Sequence, residues 1–221
     1  IALQTEYIDL LCGISTDDAY SLAAPLQKLP ADTSALSCFD AALYYMKTEN
    51  SDFLDSIWEN LQKQYTQLCD DLEIYIFTAA EQEEKVQLLP GSSPETALEE
   101  NLNALIELKA FAFLCREKDP SLEDVALTAY QNLLSSVETV MRNTVSYCTS
   151  HWSVTNLSGS LSQGIFSLSA NSSAAAAANW YKRDSVFNAP GGGTYLKRLA
   201  RQQLPYLDGT EFANSFSFID S

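Results

Sequence analysis

The stretch DFLDSIWENLQKQYTQLCDDLEIYIFTA, residues 52–79, decides how this chain is read. Within it Leu54, Leu61, Leu68 and Tyr75 recur every seventh position, and Trp58, Tyr65, Leu72 and Ala79 interleave with them in steps of four and three. A seam of that period lies along one side of a helix and packs against another helix. Leu89-Pro90-Gly91 breaks the pattern, so the spacing predicts one helix from about Asp52 to Leu88. At ~1.5 Å per residue it would be about 55 Å long.

Working outward, each flank repeats the theme of an amphipathic helix closed by a Pro-marked turn. Downstream, Ser92-Ser93-Pro94-Glu95 is a start signal for a helix carrying Leu98, Leu102, Leu105, Leu108 and Phe111 to about Lys118. Asp119-Pro120-Ser121 repeats the device, with Ser121 and Asp124 at capping-box spacing. The helix it opens uses Leu122, Ala126, Ala129, Leu133, Val137, Val140 and Tyr147. Upstream, Leu3, Tyr7, Leu10 and Leu11 have helical spacing up to Gly13, and Ser15-Thr16-Asp17-Asp18 caps a helix to about Leu29, kinked by Pro25. A third helix is predicted from Asp32 or Thr33 through Leu36, Phe39, Leu43 and Met46.

Near Ser150 the character changes. Residues 150–173 are rich in Ser, Thr, Asn and Gly, with Trp152, Leu157, Ile165 and Phe166 scattered between. They read as a long loop or irregular packed excursion, with a short β-hairpin as the lesser alternative. Ser172–Tyr181, with five consecutive alanines, favours helix. Ala189-Pro190-Gly191-Gly192-Gly193 ends it, Thr194 can cap, and a basic helix bearing Lys197, Arg198 and Arg201 runs to Leu204. The tail carries Phe212, Phe216, Phe218 and Ile219. The expected fold is all-α: an up-and-down bundle of five to seven helices, with residues 1–149 as its acidic body. Residues 150–221 supply the Ser/Ala-rich excursion, basic helix and aromatic tail packed on the same domain.

Composition narrows the function classes. A chain of 221 residues, 46% hydrophobic, can bury about 70% of its unfolded surface and needs neither disulfide nor metal to fold. Its net charge of -16 repels phosphate backbones and anionic lipid heads, which disfavours nucleic acid and membrane surfaces. The charge is uneven: residues 1–171 hold 25 acids and 8 bases, whereas residues 172–221 hold 4 acids and 5 bases. No segment approaches the ~20 apolar residues of a membrane span, so no membrane insertion is expected. The opening Ile1-Ala2-Leu3-Gln4-Thr5-Glu6 does not read as a secretory signal. Five scattered cysteines (Cys12, Cys38, Cys69, Cys115, Cys148) form no C-x-x-C pair and read as small core residues in a reducing compartment.

Catalytic patterns are thin. Asp70-Asp71-Leu72-Glu73 is shaped like the aspartate-rich box of all-α prenyl-transferring enzymes, which needs a second acidic or Asn/Ser/Glu cluster on a facing helix. Asn132, Ser136 and Val140 have that spacing, but Val140 stands where a Glu is needed, so a solvated acidic face explains the box better. His151, the one histidine, follows Cys148 by three residues and offers a thiol–imidazole pair as an alternative, enzymatic reading. A helix end that favours a histidine is the blander account. Gly191-Gly192-Gly193-Thr194 ahead of Lys197 and Arg198 can surround an anion with N–H groups and cations, but it lacks phosphate-loop spacing and reads first as a turn. Asn156-Leu157-Ser158 and Asn171-Ser172-Ser173 match the glycosylation sequon, as Ser/Asn-rich stretches do by chance. No catalytic, cofactor-binding or metal-binding residue is therefore assigned.

The acidic helices poor in Lys and His, the segment Asn171-Ser172-Ser173-Ala174-Ala175 and the closing Gly191-Gly192-Gly193-Thr194-Tyr195-Leu196 before a basic helix give a texture that resembles the helical domains of chlamydial type III-secreted effectors. The resemblance implies a bacterial protein delivered into host cytoplasm that acts mainly by binding host proteins. It carries no functional residue with it. From the residues themselves, the expected function is a protein-interaction domain with a protein partner, using Lys197, Arg198, Arg201, Phe212 and Phe216; docking of that basic helix on the acidic body of the same chain is the equal alternative. A structural protein that self-assembles through the Leu54–Ala79 seam is the other non-enzymatic expectation.

Overall fold

The computed structural model describes residues 36–79, 82–145, 151–152, 157–158, 166, 168–184, 187 and 193–203. The helices predicted upstream of Leu36, the residue Cys148, and the tail with Phe212 and Phe216 lie outside the described residues. Most of the described chain is helical, as the apolar spacing predicts.

Helix α1 spans Cys38–Thr48. It begins later than Asp32 or Thr33, because Ser37 takes an extended conformation and its hydroxyl accepts the Asp40 N–H at 3.1 Å. That is the N-cap geometry a Ser favours, and it places Leu36 ahead of the helix. Helix α2 spans Ser51–Asp70, capped by the Asn50 side chain on the Phe53 N–H at 3.0 Å.

The helix predicted to run unbroken to Leu88 ends at Asp70. Residues Glu73–Ala79 form strand β1 and Gln82–Leu88 form strand β2, an antiparallel pair that sets Tyr75 opposite Val86 and Glu73 opposite Leu88. The run Ile74-Tyr75-Ile76-Phe77-Thr78 consists of β-branched and aromatic residues that suit a pleated, half-buried surface. Alternation then sends Tyr75, Val86 and Leu88 into the core and leaves Ile74 and Ile76 outside. Only the first part of the seam is helical. Its Trp58 and Tyr65 both stack on Phe111 of the same chain, at 5.4 and 4.4 Å between ring centroids.

Helix α3, Ala97–Lys118, is the centre of the molecule, buried on almost every side and in contact with α1 and α2. Asp119 alone links it to helix α4, Pro120–Val145, and its carboxylate accepts the Ser121 N–H at 3.2 Å. The start signal therefore works through Asp119, and Ser121 already lies inside the helix. The hairpin is fastened to both long helices. The Ser136 hydroxyl accepts the Gln87 N–H at 3.0 Å, and Asn101 exchanges bonds with both the N–H and the carbonyl of Leu89.

Three two-residue strands are described in the Ser-rich segment. Strand β3, His151–Trp152, pairs antiparallel with β5, Leu168–Ser169, while β4, Leu157–Ser158, adds to β1 to give the sheet order β2-β1-β4. Helix α5, Ala170–Asp184, packs on α3, and helix α6, Thr194–Gln203, packs on α5 and α4. Gly193 before α6 has φ +83°, and a Cβ there would stand 2.8 Å from the buried Trp180 ring, so only glycine fits. Phe187 closes the core by meeting Phe39 and Phe113 edge-on or tilted, at 5.8 and 5.6 Å.

Candidate functional site

Three charged clusters are built by the helices around α3. In the first, Lys109 and Asp184 are almost wholly buried and form an ion pair at 2.7 Å between α3 and α5. The same Asp184 oxygen accepts the Tyr130 hydroxyl of α4 at 2.5 Å, and the Lys109 ammonium lies 5.1 Å from the Tyr130 ring centre. Burial pulls the Lys109 pKa down, against the attraction of Asp184, and burial together with Asp184 pushes the Tyr130 phenol up. Three helices are tied at one point, the Asp184 oxygen that both Lys109 and Tyr130 meet. This arrangement is a structural lock.

The second cluster is a cleft of about 350 Å³ where α1, α2 and α3 meet. Cys38, Gln64, Tyr65, Leu68, Glu107 and Leu108 line it. The Glu107 carboxylate accepts the Phe39 N–H at 3.2 Å, which satisfies one of the orphan donors at the start of α1. Gln64 donates to the Leu36 carbonyl at 2.8 Å. Burial raises the Glu107 pKa to about 7, with the charge of Asp40 adding to the effect and the Phe39 and Cys38 N–H groups and the Ser37 hydroxyl opposing it. Asp40 is raised in turn by burial, and the Cys38 thiol by burial and by Glu107. The tie to Asp184 described above is Lys109's; Glu107 has no ion-pair partner among the described residues.

The third cluster is basic and includes two of the residues expected to make contacts. Arg198 of α6 is exposed and lies 5.4 Å from the centre of the Tyr195 ring, while Lys197 is partly buried. Arg142 of α4, also exposed, joins Arg198 at Tyr195, where the two charges lower the phenol pKa against the larger effect of burial, whereas the charge of Lys197 acts on the buried Lys109. Arg201 is placed on the same helix in its backbone alone. Neither Arg142 nor Arg198 has an ion pair among the described residues.

The remaining sequence candidates are placed as follows. Asp70 ends α2, Asp71 caps it, and Glu73 begins β1, where it accepts the Tyr75 hydroxyl at 2.7 Å. The acidic box is therefore split between two kinds of structure. Ser136 of the supposed second cluster is buried against the hairpin, and the spacing does not make a metal clamp. At Gly193-Thr194 the place of an anion is taken by the chain itself. The buried Glu138 carboxylate of α4 accepts both the Tyr195 and Leu196 N–H groups at 3.0 Å, so the cap comes from another helix. His151 is described in its backbone, as part of β3, and Cys148 is not described. Cys38 and Cys115 are buried and Cys69 is partly so; burial raises all three thiols, that of Cys115 to about 12. Burial thus favours the neutral thiol at all three.

Sequence reasoning missed Arg142, Glu107, Glu138 and the Lys109–Asp184 pair. The last had a signal: Lys109 falls among Leu105, Ile106, Leu108 and Ala110, in a stretch with no solvent-facing side. Among the described residues no helix is long and apolar enough to cross a membrane. Comparison with known protein families, with curated proteins and with solved structures finds no match to this chain.

Proposed function

We propose that the chain is a protein-interaction domain whose contact surface is the basic ridge of Arg142, Lys197 and Arg198 around Tyr195. The observation that supports this is the convergence of two exposed cations, Arg142 and Arg198, on Tyr195 from two helices, without an ion pair among the described residues, on a chain of net charge -16. Arg beside a Tyr ring is the pairing favoured at contact centres, because both bring large area at small conformational cost. In this reading α1 to α4 form an up-and-down bundle that holds the ridge rigid, and Arg201, Phe212 and Phe216 extend it. Delivery into a host cell as a secreted bacterial effector belongs to the same proposal and rests on the sequence texture.

The full chain, immobilised, tests it against eukaryotic host lysate beside the Arg142→Glu/Arg198→Glu variant. A stoichiometric partner held at about 0.15 M salt, and lost with the variant, supports the reading. Recovery of nothing, or equal recovery by both chains, contradicts it.

Self-assembly is favoured by a different observation. In the Leu54–Ala79 seam Trp58 and Tyr65 stack on Phe111 of the same chain, whereas Ile74 and Ile76 stand 58% and 39% exposed on one face of the hairpin. Sedimentation velocity at micromolar concentration decides: a monomer removes this second reading.

A further inference from the structure

We draw no further inference here: the strongest candidate, the sheet face of the β1–β2 hairpin on which Ile74 and Ile76 stand exposed beside Lys85, carries none, because nothing in the structure shows what covers it.

Discussion

Positions 107 and 109 sit two residues apart on the same helix, yet the fold treats their charges in opposite ways. Lys109 leaves α3 towards α5 and α4, where Asp184 and Tyr130 meet it. Glu107 leaves towards α1, where it meets the Phe39 and Cys38 N–H groups, the Ser37 hydroxyl and another acid, Asp40. The first charge is paired with an opposite charge, and the second has neutral donors and a like charge beside it. The difference teaches where the molecule is locked by an ion pair and where a proton can still be exchanged.

The strongest way to break the comparison is to remove compensation from the locked site. Asp184→Ala leaves Lys109 buried without a partner and is expected to cost about 3–5 kcal/mol of stability in denaturant unfolding. Replacing both charges, as Lys109→Met with Asp184→Leu, is expected to recover most of that loss. A double variant as unstable as Asp184→Ala would show that the pair is not the source of the penalty.

Glu107 supplies the contrasting case, and its sign is reversed. The folded chain holds the Glu107 proton up to about pH 7, whereas the unfolded chain releases it near 4.5. Its stability contribution is therefore complete below the unfolded value and declines as pH rises through that window. Glu107→Gln is expected to match the native chain near pH 4.5 and to exceed it by up to about 3 kcal/mol above pH 7. Thermal melts of the two chains across that range check the divergence; a constant difference would contradict it.

Glu138 sharpens the comparison from a third position. It is a buried acid satisfied by two N–H groups at the start of α6, so Glu138→Ala is expected to cost about 2 kcal/mol and to loosen that helix first. Hydrogen exchange at Tyr195 and Leu196 reads this directly. Arg198→Glu is the smallest change, within about 0.5 kcal/mol in stability, because an exposed cation beside a ring contributes little to folding. Its effect belongs to partner binding.

Much of the helical framework was legible in residue spacing. Pro90, Pro94 and Pro120 mark turns that the structure keeps, and Leu98 to Phe111 and Leu122 to Val140 are helical faces as read. The long helix failed for a physical reason. Leu72, Tyr75 and Ala79 extend a period of seven by coincidence, while the adjacent Ile74-Tyr75-Ile76-Phe77 alternates with a period of two and prefers a strand. No Gly or Pro stands between Asp70 and Leu89 to announce the change, so two periodicities compete over the same residues. The candidate sites were less legible. Lys197 and Arg198 are exposed or partly exposed as their helix implies, but Arg142 joins them only because α4 and α6 pack together. Glu107 and Lys109 look alike in sequence, as charges amid leucines. Their neighbours, Phe39 and Asp184, are 68 and 75 positions away.

The most direct test of the contrast is a carboxyl-carbon NMR titration that follows Glu107 in the native chain. A midpoint near pH 7 is the predicted result, and it would show that burial and Asp40 outweigh the donors at the start of α1. A midpoint at or below about 4.3, the ordinary range for a Glu, would mean that a cation or a set of donors already satisfies it. The open cleft and the locked core would then be the same kind of site.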